Sequence, residues 1–419
     1  MSNETFAALV SAHNSVEVPF IIVQIGKFTF GHCEKIYKNK LQTQFNITFP
    51  NLMESLNITK INGTINTYVL TMTYAITEQD DPNLLEKVFS SVSNTRTVTF
   101  KYGDWSAPSF IFKEEEAIIT KLTTRVNVKS STITYVVNCT SKALALTAGS
   151  FSFPARFAKP SDVIIELLNN SRYGLKDIFK GMANPNASVD SFIARDDKTV
   201  QIEAKPSIGI LDYISYLVSC MSWSSDTSDK LKTSCNFWTT YDDISNKYGG
   251  TYFKVVRVNT NTPTLVSYNT YEVDIGYPSP DCVMDFQINN DDSWSLLYDY
   301  ADSINLPNYS YHIDNKGNLV EDNAGILTAS RMTYSSNEAT RNWWSLVTQF
   351  SITATLTIKG LLRPAMLMSY VKINTYFYGR KHNSSGLYII TKQNDTINSS
   401  GYRTTLSLTR IGGDRDYVV

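Results

Sequence analysis

The run Asp314-Asn315-Lys316-Gly317 is the first place where the residue types of this sequence could do chemistry, because it resembles the start of a calcium-binding loop. An EF-hand loop supplies oxygen ligands at alternate positions, with Gly at the sixth position and a carboxylate at the twelfth. Here Gly stands at the fourth position. We therefore interpret the run as the turn of a β-hairpin, where Asp, Asn and Gly are favoured.

Acid–base chemistry would need a His or a matched pair of carboxylates, and two places offer one. His312 and Asp314 stand two residues apart, so on a strand their side chains would share a face. The predicted turn begins at Asp314, however, which favours a structural role. The pair Asp291-Asp292 precedes a predicted helix, where carboxylates stabilise the positive end of the helix dipole. No HExxH, GxSxG, P-loop or GxGxxG motif occurs. The sequence predicts no catalytic residue, no cofactor, no metal ligand and no enzymatic activity.

Two further clusters are candidates for partner contacts. Glu114-Glu115-Glu116 is the strongest charge run of the chain. It could line a channel or meet a basic patch of a partner, but we predict a solvated face, the more usual place for such a run. The pair Trp343-Trp344 leaves two alternatives open, because Trp often anchors an interface and also packs in cores.

Charge and cysteine content exclude several classes of protein. The formal net charge is -1 with 18% charged residues, whereas a dedicated nucleic-acid binder concentrates Lys and Arg against phosphates. The N-terminus has no secretory signal pattern, and no stretch approaches the ~18 apolar residues of a membrane span. We therefore expect folding in a cytoplasm. The five cysteines form no CxxC pair, so we expect buried or partly buried free thiols at Cys33, Cys139, Cys220, Cys235 and Cys282.

The elements that would position these residues are mostly strands in the first third of the chain. Apolar residues alternate there with Thr, Asn or Gln, which places the apolar set on one face of a sheet. Between two of the strands, Asp81 can cap a short helix that has Pro82 at its first position and an apolar stripe at 84–89. The predicted strands are 44–49, 70–76, 98–102, 118–128 and 133–137.

The middle of the chain mixes helices with strands. Ser161 and Pro206-Ser207 are predicted to open two of the helices, and Gly249-Gly250 to end a third. The Ser/Thr/Asp-rich run 222–234 is interpreted as an exposed loop. The predicted helices are 162–168, 208–221, 241–248 and 293–303, the predicted strands are 252–258 and 283–288, and a hairpin is predicted to pair 309–313 with 319–320.

The most regular strand pattern begins at residue 350. Five apolar residues alternate with Ser and Thr over 350–358, and similar patterns follow at 371–377, 387–391 and 402–410. Such alternation predicts a sheet with one wall packed inward and one polar wall. A polar wall is suited to lining water or to meeting partner chains.

These C-terminal strands carry a family resemblance. One strand ends in Thr357-Ile358-Lys359-Gly360, a turn at Pro364 leads to Val371-Lys372-Ile373, and two strands follow with the sequences SGLYII at 385–390 and SGYRTTLSLTR at 400–410. In these features the segment 350–411 resembles the C-terminal β region of phage baseplate hub proteins, a group that includes the central hubs of contractile tails and the late-control proteins of temperate phages. The middle of the chain matches more loosely.

The resemblance implies a mainly β fold with α elements (α+β), made of two tube-like antiparallel β-barrel lobes and a smaller helical or mixed middle region. The expected regions are 1–155 for the first tube-like β region, 156–280 for the middle region, and 281–419 for the hairpin region and second tube-like barrel. In the family the lobes interleave along the chain. The resemblance also implies a structural hub of a phage tail or related contractile injection system, located in the virion tail or baseplate and assembled in the host bacterial cytoplasm.

The same resemblance implies the partners. Three copies of the chain would form a homotrimer that adapts the sixfold tail tube to a threefold spike, so the partners would be the tail tube protein, the central spike protein and baseplate wedge proteins. The genome would pass through the channel without sequence-specific binding, and no membrane span is expected.

Three alternatives to the hub remain open. A tube-initiator or distal tail protein would be hexameric. A carbohydrate-binding receptor protein is compatible with the 12% aromatic content. A peptidoglycan hydrolase would need paired carboxylates, and none stands out in the sequence.

Overall fold

A computed structural model describes residues 19–26, 28–33, 49–50, 53–75, 83, 86, 96–104, 112–141, 143–144, 149–170, 172, 193, 197–221, 235–243, 250–258, 269–275, 283–290, 311–313, 319–321, 352–360, 367, 370–382 and 384–412. These residues are mainly β-strand, with two helices. The mainly β fold with α elements is therefore confirmed. The two closed barrel lobes are not seen among the described strands, most of which form one large sheet.

Eight strands make up the N-terminal part of this sheet. In β4, β5 and β8 buried residues recur at every second position over most of the strand, and this gives the sheet one packed face. The strands are β1 (Pro19–Ile25), β2 (Phe28–Cys33), β3 (Phe49–Pro50), β4 (Met53–Ile61), β5 (Thr67–Ala75), β6 (Thr97–Asp104), β7 (Phe112–Asn127) and β8 (Thr132–Ser141).

The middle of the chain contains both helices and six short or paired strands. The first helix begins with Pro at its first position, and Asp197 caps it from a distant part of the chain, because its carboxylate accepts hydrogen bonds from the Ser161 amide (3.0 Å) and hydroxyl (2.6 Å). The elements are β9 (Phe151–Phe153), β10 (Arg156–Ala158), α1 (Pro160–Asn169), β11 (Val200–Ile202), β12 (Lys205–Ile208), α2 (Ile210–Cys220), β13 (Cys235–Asp243) and β14 (Gly250–Val258).

Nine strands follow in the C-terminal part. They are β15 (Asn269–Ile275), β16 (Val283–Asn290), β17 (Tyr311–Ile313), β18 (Leu319–Glu321), β19 (Ile352–Lys359), β20 (Tyr370–Phe377), β21 (Arg380–Lys381), β22 (Gly386–Asn398) and β23 (Gly401–Gly412). The 15-stranded sheet has the order β16-β19-β23-β22-β4-β5-β8-β7-β6-β1-β2-β3, and β20 joins β22 while carrying β15 and β21. Its pairs are antiparallel except β2–β3 and β15–β20.

Most of the predicted elements are present. The strands predicted at 70–76, 98–102, 118–128, 133–137, 252–258 and 283–288, and those from residue 352 onward, are confirmed, as are the helices at 162–168 and 208–221 and the pairing of β17 with β18. Other predictions lie outside the described residues: the strand over 44–48, most of the helix at 81–89, the loop 222–234, Asp291-Asp292 and the helix after it, the turn at 314–317, and Trp343-Trp344.

The helix predicted at 241–248 is wrong at its start. Residues 241–243 belong to β13, which pairs with β14 over nine registered positions from Cys235↔Val258 to Asp243↔Gly250. Aromatic and Thr residues dominate this segment, and they suit a strand better than a helix. Gly250 is the first residue of β14, and residues 244–249 lie outside the described residues. Cross-strand pairing decides the local structure of β13.

Three hydrophobic cores hold the described residues together. The N-terminal core gathers apolar side chains of β1, β2 and β4–β8 together with Ile397 and Tyr402. The middle core gathers both helices with β9, β11, Trp238 and Val255, and in it Phe153 stacks on Tyr213 at 3.8 Å between ring centroids. The C-terminal core gathers β19, β20, β22 and β23. The hairpin β22–β23 therefore contributes to two cores.

Candidate functional surfaces

Glu115 is the centre of a buried polar cluster inside the sheet's packed side. Its carboxylate accepts hydrogen bonds from the Lys60 ammonium (2.5 Å), the Tyr102 hydroxyl (2.5 Å) and the Tyr68 hydroxyl (2.6 Å). The side chains of Lys60 and Glu115 are 8% and 2% exposed. Burial alone would raise the pKa of the Glu115 carboxyl, but the Lys60 charge and the three hydrogen bonds outweigh it and the pKa is lowered. Glu115 is therefore a buried carboxylate, and the prediction of a solvated face for it is wrong.

A second carboxylate, Asp395, belongs to the same cluster. It accepts hydrogen bonds from Gln393 Nε2 (2.7 Å), Thr404 Oγ1 (2.5 Å) and the Tyr402 hydroxyl (3.2 Å). The Tyr402 ring meets the edge of the Tyr102 ring at 6.0 Å, which links the two halves of the cluster. Burial, followed by the nearby carboxylates, raises the pKa of both tyrosines well above the ordinary value.

The buried polar cluster lies between two hydrophobic cores. Along β22 and β23, Ile397 and Tyr402 belong to the N-terminal core, whereas Ile390, Leu406 and Leu408 belong to the C-terminal core. Gln393, Asp395 and Thr404 lie between these sets and are buried. The cluster is closed to large substrates, because its members are buried on all sides. The cluster therefore has a structural role, because its contacts join β4, β5, β6 and β7 to the C-terminal hairpin.

The opposite side of the same sheet is a polar face. Its residues are the Thr, Asn, Ser and Lys side chains that alternate with the buried positions of six strands, and they are half-exposed: Asn57, Thr59, Thr71, Thr73, Thr134, Asn138, Thr140, Thr353, Thr355, Thr357, Lys392, Asn394, Thr396, Thr405, Ser407 and Thr409. Neighbours on adjacent strands bond to one another, as in Thr73–Thr134 at 2.7 Å and Thr59–Asn394 at 2.9 Å. On β23 the alternation continues through both cores, so the face is unbroken between them.

Charges on the polar face are few. Lys359 lies opposite Arg403 in the β19–β23 register, and Lys392 lies on β22. Asp285 of β16, which is exposed, lies opposite Thr357. The neutral rows between them, such as Thr355 opposite Ser407, dominate the surface. A wall of this kind offers hydrogen bonds without a strong field of either sign.

Two exposed hairpins lie at opposite ends of the strands. At one end β20 continues past Ile373, which lies opposite Gly386 at the start of β22, and turns into β21. At the other end β22 finishes where the antiparallel β4 begins, with Asn398 opposite Ser55, and β8 begins at Thr132 on the same side. The β7–β8 arm, residues 120–132, and the β20–β21 turn, residues 377–382, therefore point away from each other along the strand direction.

Both hairpins carry exposed apolar side chains beside cations. In the β20–β21 turn Tyr378 is 73% exposed and adopts a positive φ of 52°, followed by Gly379 at 76°, a pair of left-handed residues that suits a two-residue turn. Arg380 and Lys381 follow directly and are exposed. Aromatic and basic side chains on a projecting turn are a common composition for contacts with other molecules.

The candidates named from the sequence are scattered. Glu114 forms an ion pair with Lys101 at 3.3 Å, near the buried cluster but half-exposed. His312 lies in β17, and Asp314 lies outside the described residues. Cys139 and Cys220 are buried thiols outside any disulfide, as predicted, and burial raises the pKa of Cys139 to about 12. The other three cysteines have no described side-chain environment.

Within the described part of the chain, no group of three or more His, Cys, Asp or Glu side chains could hold a metal ion. None of the described helices combines the length and the apolar character that crossing a membrane requires.

Sequence reasoning missed the buried polar cluster, although a signal for it exists. Ala117 and Ile119 are buried on β7, and a period of two counted back from them places Glu115 on the same packed face. The same count from Ile397 places Asp395 on the packed face of β22. A charged residue in phase with an apolar stripe therefore predicts a buried, partnered charge.

Comparison with known proteins gives structural neighbours only. No protein-family model matches the sequence, and no curated protein matches it. The 43 kDa tail protein of prophage MuSo2 from Shewanella oneidensis is similar with a TM-score of 0.49 at 12% identity, covering 94% of this chain and 98% of that one. The tail protein from Neisseria meningitidis has a TM-score of 0.48 at 9% identity, with 93% and 96% covered.

A third structural neighbour belongs to the same class. Prophage tail protein gp18 from Listeria monocytogenes has a TM-score of 0.38 at 11% identity, with 93% and 94% covered. The three solved structures named here are tail proteins, two of them from prophages, in agreement with the resemblance of the C-terminal strands. At such low identities and TM-scores the similarity does not extend to what this chain binds or does.

Proposed function

We propose that the chain is a structural hub of a phage tail or a related contractile injection system, and that it acts by assembly and not by catalysis. The observation that carries the proposal is the unbroken polar face, which spans both sheet cores of one chain. The face has one part over the N-terminal core and one over the C-terminal core. Counted as separate walls, these two parts would give six walls in a homotrimer. Three copies would thereby match a sixfold tail tube on one side and a threefold spike on the other.

The polar face suits a channel for DNA. Affinity for DNA rises with the number of phosphates that cations neutralise, and it falls steeply with salt. Rows of Thr, Ser and Asn, such as Thr355 beside Ser407, neutralise none. A genome could pass along such a wall without being held, and without sequence-specific contacts.

The three hydrophobic cores support a division of the chain into three regions. We propose a first lobe in 1–155, a middle region in 156–280 and a second lobe in 281–419, interleaved because Ile397 and Tyr402 of the last hairpin lie in the N-terminal core. Partners would meet the two hairpins at opposite ends: the tail tube protein, the central spike protein and baseplate wedge proteins. The assembled protein would reside in the virion tail or baseplate after assembly in the bacterial cytoplasm.

Mass photometry of the purified chain tests the assembly. One chain weighs 47.2 kDa, so a trimer and a hexamer separate clearly. A trimer supports the hub, whereas a hexamer supports the alternative of a tube initiator or distal tail protein. A monomer at micromolar concentration would contradict the hub. If it clears cell-wall material, it is a hydrolase, and if it binds glycans, it is a receptor protein.

A further inference from the structure

The β7–β8 arm has an open strand edge. Over Thr97–Asp104, β6 pairs with β7 only as far as Ile118. A register irregularity follows between Ile119 and Lys121, and from there to Asn127 the only described strand that pairs with β7 is β8. Side chains 124–131 are all exposed. Backbone groups along such an edge can pair with another strand.

Hydrogen bonds within the turn of the arm fix its conformation without a partner. The Lys129 amide donates to Asn127 Oδ1 at 3.1 Å, and the Ser130 and Thr132 hydroxyls bond at 2.8 Å. Ser131 holds a positive φ of 48°. A turn fixed by its own hydrogen bonds loses little conformational entropy on binding.

The arm exposes more apolar side-chain surface than is expected of a strand edge that binds no partner. Val126 is 64% exposed and Val128 is 85% exposed. Single exposed valines are ordinary, and cations on an edge often serve only to prevent aggregation. Two exposed β-branched residues within three positions oppose that purpose, because they make an edge more adhesive.

The charge of the arm is of one sign. Residues 120–132, with the sequence TKLTTRVNVKSST, contain Lys121, Arg125 and Lys129 and no acid. Glu86 lies at the base of the arm, where it accepts hydrogen bonds from Thr124 and Tyr135. The outer part of the arm is therefore basic, and it complements an acidic segment.

We propose that the arm binds an extended acidic segment of a partner protein, which adds as a strand to the open edge of β7. The backbone edge of β7 supplies the inter-strand hydrogen bonds, and the two valines contact apolar side chains at alternate positions of the segment. The Lys and Arg side chains of the arm select carboxylates. This inference does not depend on the hub function, since it requires only the arm of a single chain.

Fluorescence anisotropy with a labelled peptide of about ten residues, alternating glutamate with valine, tests the proposal on the full chain. The double variant Arg125→Glu/Lys129→Glu is expected to bind about tenfold more weakly than the wild type. The matched control Arg172→Glu/Lys198→Glu makes the same charge change at exposed positions outside both hairpins and leaves binding unchanged. A peptide of equal charge with proline at alternate positions cannot donate to the ladder and is expected not to bind.

Four results would overturn the proposal. The wild type does not bind the glutamate–valine peptide, or both double variants bind it equally. The proline peptide binds as tightly as the glutamate–valine peptide, which would mean that charge attraction alone, without strand addition, accounts for the binding. Vesicles of anionic lipid, or duplex DNA, bind through the arm more tightly than the peptide. Should the Glu variant fail to match the wild-type circular dichroism and urea midpoint, Arg125→Gln/Lys129→Gln replaces it, with a smaller expected loss.

Discussion

At the scale of single residues, the stability of the sheet depends on a carboxylate that is almost fully buried. Glu115 is held by three donors, one of them the buried Lys60 ammonium. Removing one member of a buried ion pair leaves the other charge without compensation. The cost therefore comes from the partner left behind as much as from the lost bond.

Replacing Glu115 with Ala is accordingly expected to lower the free energy of unfolding by about 3–5 kcal/mol, since Lys60 stays buried and charged. Urea unfolding followed by circular dichroism measures this. The matched control is Glu166→Ala, which removes the exposed Arg156–Glu166 ion pair at 2.7 Å and should cost less than about 1 kcal/mol. Equal losses in the two variants would contradict the buried cluster.

The tyrosines of the cluster predict a decline of stability in alkali. Burial raises the folded-state pKa of Tyr102 and Tyr402 above the unfolded value of about 10. The neutral hydroxyl is thus favoured in the folded chain, so this contribution is fully present below pH ~10 and is lost as pH rises from there toward the folded pKa. Unfolding free energies between pH 8 and 11 should fall more steeply for the wild type than for Tyr402→Phe. Parallel curves would show that Tyr402 titrates normally.

How far the sequence predicts the site is clearest at Glu115. The alternation of β7 places Glu115 in phase with Ala117 and Ile119, so its burial could be read from the strand. Its partners could not, because Lys60 and Tyr68 come from strands whose register with β7 is set through β8 and β5. Pairing between distant strands follows from packing, which one sequence does not display.

At the scale of elements, the end of β19 is fitted closely to β23. The Gly360 amide donates to the Tyr402 carbonyl at 2.8 Å, and a Cβ at Gly360 would overlap the Tyr402 ring. Gly360→Ala is expected to destabilise the chain by about 1–3 kcal/mol through overpacking.

A comparison with Gly379 separates overpacking from backbone strain as the cause of the lost stability. Gly379 has a positive φ of 76° and open space around it, so Gly379→Ala should cost about 1 kcal/mol from backbone strain alone. Thermal unfolding of both variants measures the difference. A Gly360 variant as stable as the wild type would mean that Tyr402 moves aside freely.

Regular alternation made the C-terminal strands predictable, but not their extent. The strand predicted at 387–391 continues to Asn398, because its second half pairs with β4 over Lys392↔Ile61 to Asn398↔Ser55. Most residues of that half are polar, and two of them, Gln393 and Asp395, are buried. Similarly, residues 241–243 are a strand because β14 lies beside them. In both places a neighbour distant in sequence decides the structure.

At the scale of the whole molecule, the β22–β23 hairpin couples the two ends of the chain. Ile397→Ala should cost about 2–5 kcal/mol, because it leaves a cavity in the N-terminal core. Amide hydrogen exchange should show β4 and β22 losing protection by the same factor. Val126→Ala, at an exposed position, is the control and should change little. Loss of protection confined to β22 would contradict a shared core.

In the proposed assembly of three chains, the polar face lines the central channel. A reconstruction of the purified protein by electron cryomicroscopy shows directly where that face lies. We predict a closed ring of three chains with a central hole, lined by the Thr and Asn rows that include Thr355, Ser407 and Asn394. A ring with these rows on its outer surface, or a monomer without a hole, would contradict the account.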